Sequence, residues 1–209
     1  MKVVAVAAQL NTGKDVFCDY LAQKLNVSPS ETWTRSAFAD AVKNTYCNAF
    51  GVDRDFIEKW KRNPEPPPGM LMPVRQGLQF IGDGFRKIKS EIWIEIALRS
   101  SDNLIISDSR YINEAKAVKQ KGGKMFIMYR PGFLNDDPNP SEAQIRPLVE
   151  FCKNNLNEGP IPEYRVLQEK YQTELPEGMQ YFDYFLVNDG SIKDLHNKVD
   201  VEVIPFLKA

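Results

Sequence analysis

The chain has 209 residues, 43% hydrophobic and 26% charged, which is the make-up of an ordinary globular domain large enough to bury a core. A net charge of −1 supplies no field for coating nucleic acid or an anionic membrane, though a local basic cleft is compatible with it. The three cysteines, Cys18, Cys47 and Cys152, have neither metal-site nor disulfide-framework spacing, and no apolar run reaches membrane-spanning length or has a signal-peptide pattern, so the expected location is the cytoplasm with reduced thiols.

The first expected strand is residues 2–8, followed by a helix over 14–25 in which Val16, Phe17, Tyr20, Leu21 and Leu25 recur at helical spacing. A polar turn follows at 26–32. Residues 33–38 read as a short strand or an extended approach to the next helix, 40–50, which Gly51 stops. A short helix at 53–60 precedes the stiff Pro-rich loop 63–69. Helical periodicity returns over 73–88 and 90–99. Residues 104–108 form a second buried strand ending at an acid, 113–121 a helix closed by Gly122-Gly123, and 124–129 a third strand. Residues 132–147 have loop composition, and Ser141 is placed to cap a helix running to about Asn155. Residues 157–181 carry too many prolines and aromatics to assign. A last strand at 182–187 turns through Asn188-Asp189-Gly190 into a helix from Ser191. Strands alternating with helices imply a parallel sheet, and one domain is the simplest organisation.

The segment Ala8-Gln9-Leu10-Asn11-Thr12-Gly13-Lys14-Asp15 is close to the phosphate-loop pattern G-x-x-x-x-G-K-[ST]. Such a loop aims consecutive backbone N–H groups and a helix dipole at phosphate oxygens. Ala8 replaces the first glycine, and Asp15 replaces the hydroxyl residue that normally meets Mg²⁺. Phosphoryl transfer also needs oxygen ligands for a metal and cations to offset the moving charge. Asp108 and Asp15 are the candidate metal ligands. The candidate cations are Arg75, Arg110, Arg130 and Arg146, with Arg35 and Arg86 behind them. Arg110 and Arg130 stand at or just past strand ends, where open α/β sheets bind ligands. The single histidine, His196, lies in the terminal helix, which argues against a His-based triad. Trp33, Trp60 and Trp93 read as core or interface residues rather than stacking platforms.

Five ordered blocks resemble the deoxynucleoside monophosphate kinases of bacteriophages, a branch of the P-loop nucleotide kinases. They are Thr12-Gly13-Lys14-Asp15 with Asp19-Tyr20-Leu21; Phe38-Ala39-Asp40-Ala41-Val42-Lys43; Arg75-Gln76-Gly77-Leu78-Gln79-Phe80-Ile81-Gly82; Ile106 to Ala115 through Arg130-Pro131; and Phe182 to Leu195. Ser141-Glu142 is similar to a pair in that family's lid. The resemblance implies a P-loop NTPase-type three-layer α/β fold, with a mostly parallel sheet flanked by helices. It implies an acceptor-binding helical insertion at about 39–100 and a lid within about 132–180, where the stretch from about 144 to 180 departs from the family by being longer and reads as an extended insertion. Asp after Lys is normal in this branch, whereas Val16 stands where it often has Thr.

The activity so implied is transfer of the ATP γ-phosphate to a deoxynucleoside 5′-monophosphate with Mg²⁺, in host cytoplasm if phage-encoded. Asn11, Thr12, Gly13, Lys14, Asp15, Val16, Arg130, Asn188, Gly190 and Ser191 would hold ATP. Phe38, Asp40, Lys43, Arg75, Gln76, Gln79, Arg110, Glu114 and Arg146 would hold the acceptor. Lys14, Asp108, Arg110 and Arg130 would act on the reacting groups, and Asp15 and Asp108 on the metal. Partners would be small nucleotides, with a homodimer suggested by the related kinases. Two other readings compete. One is a kinase of 5-hydroxymethyl pyrimidines in DNA, which would need a general base such as Asp40 or Asp108 and a basic groove. The other is a nucleotide-binding module without transfer activity, against which stand the arginines beyond the loop.

Overall fold

The computed structural model of the protein describes residues 1–27, 31–100, 102–133, 140–171 and 175–209, with the side chains of 140–142 outside that description. In chain order the elements are β1 Val3–Ala8, α1 Lys14–Leu25, β2 Trp33–Ser36, α2 Phe38–Phe50, α3 Arg54–Trp60, α4 Val74–Ile88 and α5 Ile92–Ala97. There follow β3 Asn103–Ser109, α6 Ile112–Gln120, β4 Lys124–Tyr129, α7 Pro140–Asn155, β5 Gly159–Pro160, α8 Tyr164–Tyr171, β6 Tyr184–Val187, α9 Ile192–Lys198 and α10 Ile204–Lys208. A π-helical turn, Val199–Val203, joins the last two helices. Two compact units emerge: residues 1–36 with 100–209, and residues 37–99.

The first unit is built on one sheet of order β2-β3-β1-β4-β6-β5. All pairings are parallel except that of β5 with β6. β1 is central and buried on both sides, which suits its unbroken run of Val and Ala. One face carries α1 and the C-terminal helices: Val4, Val6 and Ala8 cluster with Phe17, Cys18, Leu21, Leu195, Val199 and Val203. α6 and α7 pack on β1 and β4 through buried Ala115, Val118, Leu148, Val149 and Cys152. A parallel sheet with a phosphate-loop turn between β1 and α1 makes this a P-loop NTPase-type α/β fold. Among the described residues no helix is long and apolar enough to cross a membrane.

The second unit is helical. Its core gathers Tyr46, Ile57 and Val74, with Phe56, Trp60, Met70 and Leu78 packed around them. Trp93 is buried, and its indole N–H donates to the Gly82 carbonyl at 2.9 Å; Trp33 is buried in the first unit.

β3 runs through Asp108 to Ser109 rather than ending at the acid, which is a correction. The helix expected from Ser141 to about Asn155 is α7; it starts at Pro140, contains Pro147, and is held by buried Ile145 and Leu148, so residues 140–147 are helix and not part of the loop expected over 132–147. Residues 157–181, which the sequence does not assign, contain β5 and α8, and β5 adds an antiparallel edge to the sheet. Ser141 as a cap, and with Glu142 as a lid pair, falls outside the described side chains.

Cys18 and Cys152 are fully enclosed, and burial pushes both thiols up to about 12. Cys47 is only half-buried. A thiol reagent at pH 8 should therefore label Cys47 in the native protein and all three cysteines in denaturant, as read by mass spectrometry. Rapid native labelling of Cys18 would mean that α1 lifts readily from the sheet, against this packing.

Candidate active site

β1 delivers the chain to the C-terminal edge of the sheet, and residues 9–13 turn it back into α1. Asn11 and Gly13 both adopt positive φ, 62° and 91°. The buried Thr12 hydroxyl donates to the Gln9 carbonyl at 3.0 Å, which tightens the turn. Lys14 is the first residue of α1, at 9% exposure, with its ammonium 3.7 Å from Asp15 Oδ2. A loop followed by a helix N-terminus and a lysine is a ready receptor for phosphate oxygens.

Three neighbouring strands end at the same edge. The register sets Ala7 beside Ser109, Ala8 beside Met128, and Tyr129 beside Val187. Arg110, Arg130 and Asn188 therefore emerge level with the phosphate loop. Asn188 is 6% exposed, and its amide donates to the Thr12 carbonyl at 2.8 Å while its own N–H continues the β4 ladder to Tyr129 at 2.7 Å. Its side chain braces the phosphate loop. Ser191 and Asp194 form a capping box on α9, with Ser191 Oγ donating to Asp194 Oδ2 at 2.7 Å. Gly190 leaves room for that carboxylate, since a Cβ there would stand 2.7 Å from Asp194 Oδ2.

Glu114, expected at the acceptor, is 3% exposed, and its carboxylate accepts the backbone N–H groups of Arg110 at 2.7 Å and Tyr111 at 3.1 Å. It caps α6 and fixes the chain at Arg110. The Arg130 guanidinium lies 4.2 Å over the ring of Phe133, an aromatic support that the sequence pattern did not single out. Asp108 is half-buried within β3. Beside it, Ser109 is 1% exposed and its hydroxyl is the only buried side-chain polar atom among the described residues left without a hydrogen-bond partner. It sits where the β1–β3 register slips.

Asp15 is not solitary. Arg35, at the end of β2, forks onto the carboxylates of Asp15 and Asp19, and its Nη2 stands 3.5 Å from Ser107 Oγ. Asp108 and Asp15 carry hard oxygen donors of the kind Mg²⁺ takes, though Arg35 already engages Asp15. Among the described residues no group of three or more His, Cys, Asp or Glu gathers as a metal cluster.

The second unit holds the remaining acceptor candidates. Phe38 is 2% exposed and serves the core, as an aromatic at the start of an amphipathic helix would. Asp40 pairs with Arg54, and Lys43 lies 3.4 Å from Glu58. Arg75, Gln76 and Gln79 lie exposed along the first two turns of α4. Arg146 is on the exposed side of α7, in the first unit.

The chain is similar to a viral protein. It is 24% identical over 184 residues to a protein of Acanthamoeba polyphaga mimivirus described as "Putative deoxynucleotide monophosphate kinase", a match covering 78% of this chain and 92% of the relative. No protein-family model matches. Among solved structures, dephospho-CoA kinase from Campylobacter jejuni aligns with TM-score 0.43 at 15% identity, over 99% of this chain and 98% of that one. Shikimate kinase from Aquifex aeolicus aligns with TM-score 0.41 at 11% identity, over 100% and 99%. At those scores neither carries anything about chemistry.

A brace not expected from the sequence stands behind the 187–191 turn. Lys198 donates to Glu158 at 2.8 Å, to the Val187 carbonyl at 2.6 Å and to Asp189 at 3.0 Å. Glu158 in turn accepts the Val187 N–H at 2.9 Å. The stretch around β5 thus fixes the end of β6, from which Asn188 reaches the phosphate loop.

Proposed function

We propose that the protein is an ATP-dependent kinase that transfers the γ-phosphate to a deoxynucleoside 5′-monophosphate. The observation that carries this reading is the turn around Thr12-Gly13-Lys14, held by Asn188 at the strand edge where Arg110 and Arg130 also emerge. The viral relative, matched over nearly its whole length, supports the choice of acceptor.

In this reading the loop N–H groups and Lys14 bind the β- and γ-phosphates of ATP. Of the two candidate acids, Asp108 would hold Mg²⁺, which neutralises charge on the phosphate oxygens when bound, because Asp15 is engaged by Arg35. Arg110 and Arg130 offset charge that spreads over the transferring group, and their planar forks suit phosphate. Gly190 and Ser191 would lie toward the adenine, and Arg75, Gln76, Gln79 and Arg146 toward the acceptor. The attacking group is a phosphate oxygen that is already anionic, so no strong base is required. Residues that close over the nucleotides would exclude water and limit loss of ATP by hydrolysis.

The test is an ATP-to-ADP assay with Mg²⁺ against dAMP, dGMP, dCMP, dTMP and 5-hydroxymethyl-dCMP, with hydroxymethylated DNA as a separate arm. Acceptor-dependent ADP with a monophosphate is the expected result. A protein that binds ATP but turns over on none of the monomers would overturn the reading, and activity on the DNA alone would transfer it to the hydroxymethyl-pyrimidine class.

A further inference from the structure

Asp15 poses an electrostatic problem that the phosphate-loop reading does not solve. It places a carboxylate in the first turn of α1, beside Lys14, where a polyphosphate is to bind. A carboxylate there competes with phosphate for both the helix N-terminus and the lysine. Like charges a few ångströms apart repel strongly unless something neutralises one of them. Asp19, one turn on, adds a second negative charge on the same side of the helix.

The solution is Arg35. Its two terminal nitrogens reach different carboxylates, Nη1 to Asp19 and Nη2 to Asp15 Oδ1. Only the other oxygen of Asp15 is left toward Lys14. The guanidinium is about one-third exposed and comes from β2, a different element from both acids, so its place is set by the sheet and not by the helix it grips. A planar fork can hold two carboxylates at once in fixed directions, which an ammonium cannot.

We propose that Arg35 is a positioning residue for the phosphate loop: by neutralising Asp15 and holding it aside, it keeps Lys14 and the helix N-terminus available to the phosphates of a nucleotide. Arg35 acts through Asp15 and does not itself contact the nucleotide. The inference rests on the loop being a phosphate site. It predicts a specific rescue, because the damage from losing Arg35 comes from the charge left on Asp15.

The experiment measures ADP binding by calorimetry in EDTA, so that no metal enters, for the wild type, Arg35→Ala, Asp15→Asn and the double variant, with thermal melts alongside. Arg35→Ala should weaken ADP by about tenfold or more, from one uncompensated charge close to the phosphates. Asp15→Asn alone should bind at least as well as the wild type. The double variant should return to within about threefold of the wild type, because the nearer of the two charges is gone and Asp19, one turn further along α1, remains. Should Arg35→Ala not fold, Arg35→Lys replaces it; a single ammonium cannot fork to both acids, and a smaller loss, again relieved by Asp15→Asn, is expected.

A double variant as weak as Arg35→Ala would overturn the proposal, since a structural strut or a direct phosphate contact is not rescued by removing a neighbour's charge. So would an Arg35→Ala protein that binds ADP like the wild type. A folded wild type that binds no ADP, with or without Mg²⁺, would instead overturn the phosphate-site reading, and the proposal with it.

Discussion

Replacing Lys14 with alanine is expected to lower kcat/KM for phosphoryl transfer by about a hundredfold to a thousandfold, the usual cost of deleting one preorganised electrostatic contact to the transferring group. The ammonium starts α1 and is almost enclosed by the protein. Arg35 cannot take its place, because it is committed to Asp15 and Asp19. Stability should hold. The carboxylate nearest the ammonium is 3.7 Å away on an exposed side chain, a pair of little worth in solution, whereas enclosing a charge costs desolvation that alanine does not incur. Steady-state kinetics with a melting curve check both halves. A variant that keeps more than about a tenth of wild-type kcat/KM would be incompatible with Lys14 contacting the transferring group. A variant that is inactive because it has unfolded would show it in the melt.

What could be read from the sequence divides by range of interaction. β1, the phosphate-loop turn and α1 were legible because each depends on neighbours a few residues away: an apolar run, a Gly-Lys corner and helical spacing. The rule that ligands meet the C-terminal ends of parallel strands singled out Arg110 and Arg130, and the structure places both just past β3 and β4. The Arg35 fork was not legible, because it joins residues 16 and 20 positions apart on different elements, and sequence spacing has no period for that. The same holds for Glu158 and Lys198, which are 40 residues apart and meet only because β5 folds onto β6.

Glu114 shows a second limit of spacing. An acid beside a candidate arginine invites a ligand-binding role, and only the fold shows that it is buried and accepts the backbone N–H groups of Arg110 and Tyr111. α7 was legible as a helix ending at about Asn155, although its first two turns also have the composition of a loop. Proline is tolerated where a helix begins, and the cost of Pro147 further in is offset by apolar side chains buried against the sheet.

The second large effect is expected from Gly13→Ala, which should both destabilise the protein and disable the loop. Gly13 has φ 91°, a region in which a side chain costs about 1–2 kcal/mol. Independently, a Cβ at this position would stand 2.5 Å from the Asn188 amide nitrogen. That amide cannot withdraw without giving up its hydrogen bond to the Thr12 carbonyl, 2.8 Å long and buried, worth about 0.5–1.5 kcal/mol. Together the two terms come to about 2–3 kcal/mol, or a fall in Tm of about 5–10 °C for a chain of this length. Nucleotide affinity should fall with it, because the residue between Thr12 and Lys14 sets the direction of the loop N–H groups. The double variant Gly13→Ala/Asn188→Ala separates the causes. It removes the collision but not the backbone strain, so it should regain part of the Tm lost relative to Asn188→Ala alone, a non-additivity that two independent sites would not show. Strict additivity would mean that Asn188 does not close over the loop, and the brace between the last strand and the phosphate turn would have to be abandoned.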